Sequence, residues 1–276
     1  MADGNLVVEI RDRIATVTLK RPEVRNAFDD ALIAQLTGTF RRIERDASIR
    51  AMVLAGAGTA FCAGADMNWM KRMARYSYKE NLTDARGLAT MLKTLDRLAK
   101  PTIARVHGPA YAGGVGLVAA CDIAVGSHDA EFSLSEARFG LSPGTISPYV
   151  VRAMGERAAR RYFLTAERFG ADEAYRLGLL SALAAPGELD ETIDKILHHL
   201  LAAGPVALAQ IKDLIRAVSR GGPITDALVE NTAKRIARIR VSPEGREGIA
   251  SFLEKRQPAW IVGHEKVGAR NSRKKR

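Results

Sequence analysis

The sequence predicts a mixed α/β fold of repeated β-β-α units that gives way to a helical C-terminal third. Three observations predict it. The N-terminus alternates apolar and polar residues with period two, the middle alternates β-like runs with amphipathic helical stretches, and successive stretches of helical spacing follow Gly204-Pro205. The 276 residues are 47% apolar and 26% charged, enough to bury a sizeable core.

Residues 6–10 and 14–19 alternate across Asp12-Arg13, as a hairpin with one buried face does. Asp29 and Asp30 precede Leu32, Leu36, Phe40 and Ile43, whose spacing predicts a capped amphipathic helix. Residues 51–54 read as a strand. A helical stretch over 81–98 leads to a strand over 103–106, and a short Gly-led helix near 115–120 leads to a strand over 123–125. Beyond Gly204, Leu208, Ile211, Ile215 and Val218 keep helical spacing, and the stretches from Thr225 and from Glu244 do the same. The expected organisation is a core over 1–203, a helical region over 204–262 too one-sided to stand alone, and a disordered basic tail over 263–276.

The net charge is +11. Much of it lies in the tail, where Lys266, Arg270, Arg273, Lys274, Lys275 and Arg276 stand against Glu265 and leave the body at about +6. Such a tail, with Arg11, Arg13, Arg41 and Arg42, permits loose binding of nucleic acid. No zinc-finger spacing or aromatic interleaving accompanies it, so specific nucleic-acid binding is not expected. No apolar run approaches the roughly 18 residues of a membrane span, and residues 1–5 do not read as a secretory signal; a cytoplasmic location is expected. Cys62 and Cys121 are isolated in small or apolar surroundings and read as buried small hydrophobes. His107, His198 and His199 have no ligand spacing, and no metal is expected.

Two Gly-rich segments each follow a strand: Phe61-Cys62-Ala63-Gly64-Ala65-Asp66, and His107-Gly108-Pro109-Ala110-Tyr111-Ala112-Gly113-Gly114-Val115-Gly116. Neither has the Lys-Ser/Thr of a P-loop or the acidic partner of a dinucleotide site. Gly and Ala let a backbone approach a ligand, and a helix beginning at Gly113 would aim free N–H groups outward, which suits an oxyanion. The same residues also suit tight turns with close helix–strand packing, and glycine content alone does not separate the two.

These segments, with the later Ala-Cys-Asp at 120–122 and Ser-Glu-Ala-Arg-Phe-Gly-Leu-Ser-Pro-Gly at 135–144, resemble the signatures of the enoyl-CoA hydratase (crotonase) superfamily in order and spacing. Arg25-Asn26-Ala27-Phe28 resembles its early motif, and Ile211-Lys212 and residues 252–258 its late ones. Within the superfamily, Leu134-Ser135-Glu136, Ile146-Ser147-Pro148, residues 155–162 and residues 237–245 resemble bacterial 3-methylglutaconyl-CoA hydratases of leucine degradation and the related isohexenylglutaconyl-CoA hydratases.

The resemblance implies a crotonase-like ββα superhelix with a C-terminal helical trimerisation region, assembling as a trimer or a dimer of trimers. It implies an oxyanion hole from the N–H groups of Ala65 and Gly113 and a catalytic acid/base at Glu136. It implies CoA contacts at Arg25, Ala27, Ala63, Ala65, Asp66, Gly113, Lys255 and Arg256, with coenzyme A entering as the substrate's thioester and no separate cofactor. Asp66 also reads as a helix cap, and Tyr111 as either acyl-pocket lining or core. The resemblance also implies a second glutamate in family hydratases at the position matching Gly116; here that side chain is missing, so the proton work falls on Glu136 or on a group that the sequence does not reveal. Phe132, Leu134, Phe139 and Leu141 flank Glu136 and are expected to raise its pKa. For a substrate with a second carboxylate, Lys71, Arg72, Arg75 and Arg138 are the candidate cations. A Δ3,Δ2-enoyl-CoA isomerase using Glu136 alone is the alternative activity.

Overall fold

A computed structural model describes residues 2–219 and 222–261. Among the described residues, ten strands run in chain order as β1 (Ala2–Asp3), β2 (Leu6–Arg11), β3 (Ile14–Leu19), β4 (Ala51–Gly56), β5 (Thr102–Val106), β6 (Ala110–Tyr111), β7 (Ile123–Ser127), β8 (Glu131–Ser133), β9 (Arg168–Gly170) and β10 (Ala182–Ala184). The predicted hairpin is β2–β3, paired from Leu6–Leu19 to Arg11–Ile14, and β3 alternates half-buried and buried residues as its sequence does.

A seven-stranded sheet has the order β1-β2-β3-β4-β5-β7-β10, antiparallel up to β3 and parallel from β3 onward. Every residue of β4 from Met52 to Ala55 is buried, which fits a parallel strand covered on both faces. A second, smaller sheet has the order β6-β8-β9. Isolated parallel bridges Phe28–Ala65 and Cys62–Ala110 extend this second ladder toward the N-terminus. Each turn of the chain thus adds a strand to the large sheet, a rung to the second ladder, and then a helix. That is the physical content of the expected ββα repeat.

The first helix, α1 (Asp30–Arg45), starts where Asp29 accepts the Leu32 N–H, and its stripe of Leu32, Leu36, Phe40 and Ile43 is buried. Next come α2 (Met67–Met73) and α3 (Tyr78–Arg97), the latter opened by a Ser77–Glu80 capping box, and then α4 (Gly113–Ala120). Helix α5 (Ser147–Thr165) is interrupted at Gly155, whose φ of 78° breaks the helical path, and α6 is Ala171–Arg176. Helix α7 (Leu189–Ala202) precedes the predicted helical third, which consists of α8 (Pro205–Val218), α9 (Asp226–Arg240) and α10 (Pro243–Leu253).

The chain divides into two compact units, one ending at Leu197 and the other beginning at His198, inside α7. In the second unit, Glu244 accepts the N–H groups of Val206 and Ala207 at the start of α8, tying α10 to α8. Among the described residues no helix is long and apolar enough to cross a membrane. The basic tail lies outside the described residues. Cys62 is fully buried, as expected, whereas Cys121 is half-buried.

Helix α4 is fixed at its far end by Asp122, which accepts both the Thr102 N–H (2.8 Å) and the Thr102 hydroxyl (2.9 Å) while its own N–H donates to Thr102 Oγ1. Thr102 is fully buried. Asp122→Ala strands those donors and is expected to cost about 1–3 kcal/mol of unfolding free energy, measured by denaturant titration; no loss would mean that the lock contributes nothing.

Candidate active site

Three successive turns of the chain deliver the expected site residues to one end of the second ladder. Cys62 bridges Ala110, and Ala110 pairs with Phe132, all in parallel. The Tyr111 N–H donates to the Cys62 carbonyl over 2.9 Å, and the Ala112 N–H donates to the Ser133 carbonyl over 2.8 Å. Ala65 follows Cys62 by three residues, Gly113 follows Tyr111 by two, and Glu136 follows Ser133 by three. Because the rungs are parallel, all three residues leave the ladder at its C-terminal end, where α/β folds assemble ligand sites.

The direction of the Ala65 amide follows from its bridge. Phe28 donates to the Gly64 carbonyl and accepts from the Asp66 N–H, each over 2.7 Å, so the groups flanking Ala65 are used and its own N–H points to the opposite side. Gly113 is the first residue of α4, and its N–H has no carbonyl one turn back to bond. Among the described residues neither N–H donates to any backbone or side-chain acceptor. Gly113 is also sterically required: a Cβ there would stand 2.3 Å from Phe28 Cε2.

Glu136 lies on a short 3-10 turn, Ser135–Phe139, directly after β8. One carboxyl oxygen, Oε2, is buried with no hydrogen-bond partner. Burial pushes its pKa above the ordinary carboxylate range, and a hydrogen bond from its own backbone N–H only partly opposes this. The apolar contribution comes from one side. Phe132 and Leu134 are buried, but Phe139 and Leu141, expected to join them, are exposed at 62% and 58%. A buried, unbonded carboxyl oxygen is costly to keep, which marks it for a role other than holding the fold.

Position 116 is closed to any side chain. A Cβ on Gly116 would lie 2.3 Å from Ile146 Cγ2, with Leu92 Cδ2 a further neighbour at 3.7 Å. Ile146, at the start of α5, is 2% exposed. Where the resemblance implies a second carboxylate in family hydratases, Ile146 packs against Gly116 instead.

Asp66 caps α2, accepting from Asn68 (2.8 Å) and Trp69 (3.3 Å). Its partner, not anticipated from the sequence, is Arg21, only 13% exposed at its side chain. Arg21 donates to Asp66 (3.0 Å) and to the Ala27 carbonyl (2.6 Å), and sits 3.1 Å from Asp29, the cap of α1. One guanidinium thus joins the caps of two helices. Asn26, fully buried with φ 58°, donates to the Ala57 and Ala60 carbonyls and accepts the Arg21 N–H. Periodicity carries no mark of a buried Arg; the available signal was two Asp caps, each ahead of an amphipathic helix, in need of a shared cation.

Ala27 is buried and Ala63 and Ala65 are half-buried, while Arg25 is exposed and holds the Ala63 N–H with its carbonyl. Lys71, Arg72, Arg75 and Arg138 are all exposed, and Arg72 is paired with Asp30. Tyr111 donates its hydroxyl to Glu131. In the second unit Lys255 is exposed, and Arg256 is held by Glu247 and Glu254 at 2.6 Å each. Among the described residues no group of three or more His, Cys, Asp or Glu side chains is placed to hold a metal ion.

The geometry defines an α/β protein in which two unbonded amides and one half-buried carboxyl group follow the strands of the second ladder. Residues 9–262 match the enoyl-CoA hydratase/isomerase family model. A short-chain-enoyl-CoA hydratase of Clostridium acetobutylicum is 30% identical over 261 residues, covering 92% of this chain and 96% of that protein. An enoyl-CoA hydratase structure from Shewanella pealeana superposes with a TM-score of 0.90 at 40% identity, covering 93% of this chain and 96% of that one. AtuE of Pseudomonas aeruginosa superposes at 0.88 with 34% identity, covering 93% and 99%. The chain belongs to the enoyl-CoA hydratase/isomerase family, and its fold is that family's fold.

Removing Arg21 leaves two partly buried carboxylates without their cation. Arg21→Met is expected to cost roughly 3 kcal/mol, less whatever solvent screening recovers. Burial tends to raise the Asp66 pKa, but the Asn68 and Trp69 N–H groups and Arg21 outweigh it and hold the group below its ordinary 3.8. A depressed acid stabilises the fold above its unfolded pKa and loses that contribution as pH falls through the folded one. Stability of the unsubstituted chain should therefore drop below about pH 4, and Arg21→Met should flatten that drop in pH-dependent thermal unfolding.

Proposed function

We propose that this chain hydrates 2-enoyl-CoA thioesters through an enolate held by the Ala65 and Gly113 N–H groups, with Glu136 as the acid/base. As water oxygen bonds to Cβ, Glu136 takes the water proton, and the Cα=Cβ electron pair moves toward the thioester, placing negative charge on the carbonyl oxygen. The two amides bind that charge where it develops, an interaction worth a few kcal/mol per donor in a water-poor site. The enolate then collapses, and Glu136 returns its proton to Cα. The observation that carries the reading is that two unbonded amides and a carboxyl group with one buried, unbonded oxygen each follow a strand of the same parallel ladder by two or three residues.

A raised pKa suits this role, because the protonated acid formed in the first half of the cycle must survive long enough to protonate carbon. It also has a stability signature. A carboxyl whose folded pKa is raised holds its proton more tightly when folded, so stability falls as pH rises from the unfolded pKa through the folded one. Glu136→Gln is expected to raise the melting temperature at neutral pH while lowering turnover about 10²–10⁴-fold. Turnover within a few-fold of the unsubstituted enzyme would remove Glu136 from the mechanism.

The acyl group we infer is the 3-methylglutaconyl class of leucine degradation, on the resemblance of residues 134–136 and 146–148. The exposed Lys71, Arg75 and Arg138 are the cations open to a second carboxylate; Arg72 is already engaged by Asp30. The second reading is a Δ3,Δ2-enoyl-CoA isomerase, favoured by one specific observation: Ile146 fills the space beside Gly116, leaving one carboxyl group, and one base suffices for a 1,3-proton shift. Assembly as a trimer or a dimer of trimers is supported by the second unit. There Ile249, Phe252 and Leu253 are exposed beside Trp260 around a groove of about 500 Å³, an apolar surface that a lone subunit would leave in water.

A substrate panel separates these readings. Turnover of 3-methylglutaconyl-CoA at least tenfold above crotonyl-CoA in kcat/KM is expected. Preference for crotonyl-CoA would withdraw the acyl assignment, and conversion of a 3-enoyl-CoA without gain of water mass would establish the isomerase.

A further inference from the structure

Ala112 holds a backbone conformation that alanine avoids. Its φ is 47° and its ψ is −116°. Arg25 and Ala166, also at positive φ, have ψ of 40° and 22° and lie in the ordinary left-handed well; Ala112 does not. Glycine would adopt this conformation freely. A strained residue persists only when its surroundings over-determine it, and such residues collect at functional sites.

Three surroundings hold Ala112, and each belongs to a different turn of the chain. Its N–H donates to the Ser133 carbonyl (2.8 Å), three residues ahead of Glu136. Its carbonyl accepts the Val115 and Gly116 N–H groups (3.0 and 3.3 Å) and so points along α4. In a trans peptide the next N–H points the other way, so this carbonyl aims the Gly113 N–H out of the helix end. Its methyl lies against Gly64, the residue before Ala65. A Cβ built on Gly64 would stand 3.1 Å from the Ala112 Cβ and 3.0 Å from the Tyr111 carbonyl oxygen.

We propose that Ala112 is a positioning residue whose methyl, seated on Gly64, sets the spacing between the Ala65 and Gly113 amides, and whose strained backbone aims the second of them. The inference rests on the enolate reading above and names what tunes it. Relief of the strain alone would favour glycine here. Glycine, however, would remove the spacer between the two loops and let the 112–113 peptide rotate, loosening the grip on an oxygen whose charge exists only in the enolate.

The test is Ala112→Gly in the full-length enzyme, read three ways: melting temperature, the kcat and KM split on a 2-enoyl-CoA, and exchange of the Cα protons of butyryl-CoA in deuterated water followed by mass. Exchange reports enolate formation whether the enzyme is a hydratase or an isomerase. The expected result is a melting temperature equal to or above that of the unsubstituted enzyme, with kcat and the exchange rate both down about tenfold or more and KM within about twofold. A role in packing alone would lower the melting temperature. The inference is overturned if turnover and exchange stay within about twofold, or if their loss comes with a lowered melting temperature. An unsubstituted enzyme that neither hydrates nor exchanges would overturn the enolate reading itself, and this inference with it.

Discussion

Two backbone hydrogen bonds hold the site together: Tyr111 to the Cys62 carbonyl and Ala112 to the Ser133 carbonyl. They tie three turns of chain, distant in sequence, into one parallel ladder. A parallel ladder sends each chain out at the same end, so whatever follows each rung meets there. Ala65, Gly113 and Glu136 each follow a rung by two or three residues, and no side-chain contact is needed to gather them. Main-chain donors are difficult to lose by mutation, which would suit the proposed task of binding charge on an oxygen.

The rest of the molecule stiffens that arrangement. Arg21 joins the caps of α1 and α2, so the helix that begins just after Ala65 cannot drift from the one that begins just after Phe28. Asn26 anchors the same corner to the loop ahead of Phe61. At the other end of α4, the Thr102–Asp122 lock fixes the helix whose first N–H is Gly113. Polar groups are spent here on direction rather than on bulk stability, and each is nearly satisfied. Glu136 Oε2, by contrast, is buried without a hydrogen-bond partner, an arrangement that costs stability.

Gly116 and Ile146 show a complementary economy. The space that a side chain at position 116 would need is filled by an isoleucine, and neither residue changes freely without the other. On the proposed reading, where no second carboxylate stands at this position, Glu136 would carry both halves of the proton transfer.

Much of this was legible in the sequence for local reasons. Period-two alternation marked β2 and β3, the Asp29 cap with its stripe marked α1, and the glycine at 113 marked a helix that starts against another chain segment; each signal lies within a few residues, where steric and hydrogen-bonding preferences act directly. Family motifs carried Ala65, Gly113 and Glu136. What the sequence could not show is which distant segments meet. The pairing of Arg21 with Asp66, the isoleucine standing at Gly116 and the strained seat of Ala112 on Gly64 all depend on contacts between residues tens of positions apart. Such contacts are decided by the register of the ladder and the packing of helices upon it, and those exist only once the chain has closed on itself.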